Sequence, residues 1–152
     1  MSGMHQALLM AGAASGVADN IVSVSTLPSS SFTTNSVTYV DLLDATAGSA
    51  ISVSFTKASA TSNVWAWGCA SGVATGADCV VTLGCNDGTT DRDLGRALTQ
   101  TAYYGLATGG IIITGLAAGS YTFKLRVKVS GNTFNFNTGA CSASLTVAEV
   151  DP

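Results

Sequence analysis

From Tyr121 to Val129 the chain reads Tyr-Thr-Phe-Lys-Leu-Arg-Val-Lys-Val, apolar at every odd position and polar or basic at every even one. Side chains alternate between two faces along a β-strand, so such a run sorts itself only as a strand with one face buried. Its register is fixed as well, because a slip of one residue buries Lys124, Arg126 and Lys128 and exposes Phe123, Leu125 and Val127.

The same period recurs along the chain. Val22 and Val24 alternate with Ser23 and Ser25 before a breaker cluster at Pro28-Ser29-Ser30-Ser31. Tyr39 and Asp41 alternate with Val40 and Leu42, and Ile51, Val53 and Phe55 with Ser52, Ser54 and Thr56. Trp65, Trp67 and Cys69 share one face, and Cys79, Val81 and Leu83 oppose Val80 and Thr82. Gly110-Ile111-Ile112-Ile113-Thr114 leads into the turn Gly115–Gly119, and Ser130-Gly131-Asn132 turns the chain into Thr133-Phe134-Asn135-Phe136-Asn137. Cys141, Ala143, Leu145 and Val147 close the pattern, for about eight to ten strands. No long stretch has helical periodicity, and strands without intervening helices make a sandwich or barrel rather than a parallel α/β sheet. Half of the 152 residues are small (22 Ala, 17 Gly, 37 Ser plus Thr), which suits closely apposed sheets. The expectation is an all-β, antiparallel two-sheet jelly-roll sandwich in one domain.

Residues 1–18 stand apart. They contain no Asp, Glu, Lys or Arg, and Met4, Leu8 and Leu9 fall at the spacing of one or two helical turns, with His5 and Met10 among them. Residues 1–31 are expected to form an extended or partly helical anchoring arm and linker, and residues 32–152 the sandwich. A secretory leader is the competing reading of the first residues, but the segment lacks a basic n-region. An apolar arm without charge needs a partner to cover it.

Composition narrows the partners. Charged residues make up only 10% of the chain and the net charge is −3, which excludes nucleic acid as an expected ligand. The longest apolar runs are a few residues, far short of the ~20 of a membrane-spanning helix.

Chemistry is sparse. His5 is the only imidazole and has no acidic or nucleophilic neighbour in sequence, so no Ser-His-Asp or Cys-His site is expected, and the chain reads as non-enzymatic. Cys69, Cys79, Cys85 and Cys141 contain no CxxC pair, and neither a metal nor a cofactor is expected. The four thiols allow three pairings, among which the sequence does not choose. Asp87, Asp91 and Asp93 lack EF-hand spacing and have Arg92 among them, so a solvated loop is expected rather than a calcium site. Trp65, Trp67, Tyr103 and Tyr104 are expected in core or subunit contacts, with a sugar-binding platform as the alternative. Lys124, Arg126 and Lys128 make either a solvated basic stripe or an interface for acidic partners.

The segment from about Val37 to Val150 resembles the jelly-roll modules of tailed-bacteriophage virion proteins, with the trimeric architecture of tumour-necrosis-factor and C1q-like domains. Thr38-Tyr39-Val40-Asp41 and Ile51–Thr56 carry the likeness, followed by Thr114-Gly115-Leu116-Ala117-Ala118-Gly119-Ser120-Tyr121-Thr122-Phe123-Lys124-Leu125 and the closing Leu145–Val150. In such modules the loop before the long strand often reads Gly-Leu-x-x-Gly-x-His/Tyr-Thr; the acidic segment Gly84–Asp93 departs from the pattern. The resemblance implies a homotrimeric virion component, a capsid decoration or head-fibre protein. Its arm would dock on the major capsid protein, or on a tail protein of the same particle. The alternative it implies is a tail-associated adhesin that binds a host-surface glycan.

Overall fold

Among the residues that the computed structural model describes, 20–26, 32–44, 48–75, 79–99, 104–136 and 141–151, all regular structure is β-strand. In chain order these are β1 (Asn20–Thr26), β2 (Phe32–Thr34), β3 (Val40–Asp41), β4 (Leu43–Asp44), β5 (Ser49–Ala50), β6 (Ser52–Lys57) and β7 (Asn63–Thr75). Then follow β8 (Cys79–Asn86), β9 (Asp91–Thr99), β10 (Tyr104–Ile113), β11 (Gly119–Val129), β12 (Thr133–Phe136) and β13 (Ala143–Val150).

In sheet I, β7 is central. β10 lies on one edge, β13 and then β1 on the other, and β12 with β2 continues beside the far end of β7. In sheet II, β6 and β3 share one edge of β11, with β8 and then β9 beyond its other edge. Numbered alone, the eight strands of six or more residues run 1-8-3-6 in one sheet and 2-7-4-5 in the other. Every pairing is antiparallel, and this interleaving is the jelly roll expected from the sequence. The strand β1 belongs to the sandwich, paired along its whole length with β13, although the expected boundary placed residues up to 31 in the arm. Its Val/Ser alternation, not the later Pro28 cluster, marks where the sheet begins. The rest of that proposed arm, with Met4, His5, Leu8, Leu9 and Met10, lies outside the described residues.

The alternating run on β11 buries Phe123, Leu125, Val127 and Val129 as anticipated. They meet Phe55, Leu83 and Leu145 in the core, where Phe55 and Phe123 pack edge to face with centroids 6.0 Å apart. Bulk on sheet II leaves little room beneath β7. A Cβ on Gly68 would lie 2.9 Å from both Leu125 Cδ1 and Leu94 Cδ1. The strand β7 therefore turns Val64, Ala66, Gly68 and Ala70 inward and sends Trp65, Trp67 and Cys69 outward. Between β10 and β11, Gly115 takes φ +76° at the corner. There Leu116 packs on the end of the core and the Tyr121 hydroxyl donates to the Ala117 carbonyl at 2.8 Å.

Candidate functional site

The two outward faces of the sandwich differ in chemistry. On sheet I the register aligns Ile112 of β10, Trp65 of β7, Ala148 of β13 and Ile21 of β1 in one row across four strands. Ile112 is 50% exposed and Ile21 43%, whereas Ala148 is buried beneath its neighbours without belonging to the core cluster. The next row is Gly110, Trp67, Thr146 and Ser23, and the one after it Thr108, Cys69, Ser144 and Ser25. Both indoles lean on Gly110, where a Cβ would come within 3.1 Å of Trp67 Cδ1 and 3.2 Å of Trp65 Nε1. No outward position of these four strands carries Asp, Glu, Lys or Arg.

Trp65 and Trp67 thus stand together on a half-buried surface and outside the core. Tyr103 lies outside the described residues; Tyr104 is placed only by its backbone, opposite Val73. Ile112 and Ile21 were not singled out in the sequence. Ile112 sits within three consecutive isoleucines, which hide the alternation, and Ile21 adjoins Val22 at a strand start, where the Val22/Val24 alternation draws the eye to the other face.

Sheet II carries the charge. Lys124 Nζ is 3.1 Å from Asp41 Oδ2, and Arg126 spans Asp41 (3.3 Å) and Asp91 (3.2 Å) while donating to the Tyr39 carbonyl at 2.7 Å. Lys128 and Arg96 both reach Asp93, at 3.3 and 3.2 Å. Tyr39 lies flat over Gly84, its hydroxyl donating to Asp93 and its ring 4.2 Å below the Lys128 ammonium. Burial, and then the bond to ionised Asp93, push the Tyr39 hydroxyl above its ordinary pKa. That same hydroxyl, with Arg96 and Lys128 adding to it, holds Asp93 below the usual carboxylate range despite some burial. The basic stripe therefore finds its acidic partners within the chain, on β3 and β9. These partly exposed pairs contribute about 0–1 kcal/mol each. Collectively they close the face electrostatically.

The acidic segment 84–93 is the β8–β9 hairpin. Asp87, 3% exposed, accepts from the Thr89 and Thr90 amides at 3.0 and 2.9 Å and from the Thr89 hydroxyl, and pairs with Arg92 at 3.1 Å. Burial opposes its charge, but these donors outweigh it and the carboxyl sits below its ordinary pKa. Its oxygens are turned to the hairpin's own donors, and no group of His, Cys, Asp and Glu among the described residues is arranged to hold a metal ion.

A second buried carboxylate had no sequence signal beyond its place near the C-terminus. Glu149 on β13 accepts from the amides of Ala58 and Ser59, both at 2.8 Å, and from the Ser62 hydroxyl. Beside it Lys57, 1% exposed, donates to the Ser59 carbonyl. Together these bonds tie the β6–β7 loop to sheet I.

Of the cysteines, Cys69 faces outward with Sγ 3.2 Å from Ser144 Oγ, whereas Cys85 is fully buried and burial pushes its thiol up to about 12. Under native conditions at pH 8 Cys85 is expected to resist iodoacetamide, since the thiolate is the nucleophile and neither ionises nor meets solvent there. Peptide mapping should show its alkylation only after denaturant is added; rapid native labelling would contradict its burial.

Over 86% of its length the chain matches part of a chain in a structure of infectious bursal disease virus, Gx strain, with a TM-score of 0.55 at 12% identity. It spans about a third of that chain, 33% of its length. A structure of Eiger, a TNF from S. frugiperda, matches 87% of this chain over 92% of its own, with a TM-score of 0.46 at 8% identity. No protein-family model and no curated protein matches the sequence. The likeness to the viral chain is one of fold: a jelly-roll sandwich.

Proposed function

We propose that this chain is a non-enzymatic structural protein of a virus particle. In this reading it is a capsid decoration or head-fibre protein of a bacteriophage. It self-associates as a trimer and is anchored to the major capsid protein, or to a tail protein, by the residues ahead of β1. The observation that carries the reading is the jelly roll itself, whose fold this chain shares over 86% of its length with a chain of a virus structure. Two features agree with it. The carboxylates of sheet II and of the β8–β9 hairpin are committed to ion pairs and turns rather than turned to a cleft. The first 18 residues carry no charge and need a surface to cover them.

Deleting residues 2–18 tests the anchor, because the deletion stops short of β1 and leaves every described strand intact. The truncated chain is expected to keep its β-type circular dichroism and its oligomeric mass while losing co-sedimentation with capsids that lack this protein. Undiminished capsid binding sinks the arm. Binding to cells but never to capsids, by full-length and truncated chains alike, sinks the decoration role in favour of an adhesin.

A further inference from the structure

We propose that the outward face of sheet I is buried against other copies of this chain, with the row Ile112–Trp65–Ala148–Ile21, near one end of the four strands, as its apolar row. The proposal rests on the self-association in the reading above but not on the capsid.

Two exposed isoleucines and two half-buried tryptophans without a charge among them have the make-up of an interface core, where aromatic residues are enriched and charges depleted. A solvated sheet face alternates differently, as sheet II shows with four cations and three carboxylates on its outward side. The size is adequate. Four strands about 4.8 Å apart and nine residues of β7 at about 3.4 Å each cover roughly 600 Å², the share of one partner in the smaller stable interfaces.

Chemistry selects a second copy as the occupant. A partner surface rich in charge would strand those charges against indole and isoleucine, desolvated and without a partner. The same face of another copy brings no charge. It also brings relief of the right kind: two rows from the raised apolar row runs the low row Thr108, Cys69, Ser144 and Ser25, so the raised row of one copy can seat over the low row of the next, a head-to-tail contact that repeats around a closed trimer. Hydroxyls on Thr146 and Ser23, in the row between, then meet groups like themselves and exchange hydrogen bonds across the contact.

Sedimentation equilibrium on the full chain, from micromolar to ~100 μM, tests this, a range chosen to span ordinary protein affinities. The unaltered chain is expected to associate. The I21K/I112K double variant should associate at least ~100-fold more weakly, because every contact would then desolvate lysines against a face that holds no carboxylate to pair with them. Both substitutions are at outward, half-exposed positions and should leave the circular dichroism unchanged; Ser23→Glu, at an exposed hydroxyl, gives a second route to the same result should the double variant fail to fold. Thr122→Lys, on the outward side of sheet II, should leave association as it was. A monomeric unaltered chain overturns the proposal, as does a folded I21K/I112K chain that associates undiminished. So does a monomer whose tryptophan emission shifts on adding a neutral cello-oligosaccharide, which would make the face a sugar platform. A chain that associates through this face yet never binds capsids leaves the proposal standing and overturns the decoration role instead.

Discussion

Gly109→Ala is expected to destabilise the sandwich by about 3 kcal/mol or more, as is Gly95→Ala, at the upper end of what one added methyl does. The cause is where β9 and β10, the edge strands of opposite sheets, pass each other. A Cβ on Gly109 would sit 2.0 Å from the Leu94 carbonyl oxygen, and one on Gly95 2.2 Å from that of Thr108. Both obstacles are backbone, so no rotamer change relieves them; the strands must separate by more than an ångström, opening the side of the sandwich. The separation that admits one methyl admits the other, so the double variant should cost clearly less than the sum of the two. Gly115→Ala is the contrast. It has nothing within 4 Å of the new Cβ and is strained only by its φ of +76°, so about 1 kcal/mol is expected. Urea unfolding at constant m measures all four. A Gly109→Ala chain with the parental midpoint would show that the two sheets are not in backbone contact there.

Nothing in the sequence announced this contact. In β9 and β10 the glycines read merely as weak strand residues, because the approach is between sheets and pairs positions with no shared period. The same limit applies to the polar face. The alternation of β11 was enough to place Phe123 and Leu125 inside and Lys124, Arg126 and Lys128 outside, since a period of two with contrasting partners admits one solution. Their carboxylate partners were out of reach. Asp41, Asp91 and Asp93 come beside them only through the strand order β3-β11-β8-β9, which is topology rather than local pattern. For β7 the local pattern was ambiguous, because Val64, Ala66 and Ala70 are as apolar as Trp65, Trp67 and Cys69. The larger set would be the natural choice for the core. The structure takes the smaller one because Leu94, Leu125 and Phe123 already fill the space from across the sandwich. Trp65 and Trp67, expected in the core or in subunit contacts, thereby stand on the outward face of sheet I.

Glu149→Ala should cost about 3–5 kcal/mol, as expected when one member of a buried charged cluster is removed and the others stay. Two backbone amides and the Ser62 hydroxyl lose their acceptor, each with a penalty of ~1–3 kcal/mol if water does not reach it. Lys57, 1% exposed, loses the anion that offsets its own desolvation. Lys57→Met should be milder, because the carboxylate keeps all three donors and an unbranched apolar chain fills the lysine's path. The two variants separate the carboxylate's role as a loop staple from its role as a counter-ion. The charge also makes a pH signature. Burial works against ionisation of Glu149, but the bonds from Ser62, Ala58 and Ser59 and the nearby Lys57 outweigh it, so the folded pKa lies below the ordinary value of about 4.3. Between the two values the unfolded chain binds more protons than the folded one. The stabilisation is therefore complete above the ordinary carboxylate range and lost as pH falls through the folded value. In Glu149→Gln that acid loss should shrink, so its deficit in urea midpoint against the parent is larger at pH 7 than at pH 3. Asp87 and Asp93, also depressed, keep a residual slope in both chains. A deficit that is the same at both pH values would mean the staple works without its charge.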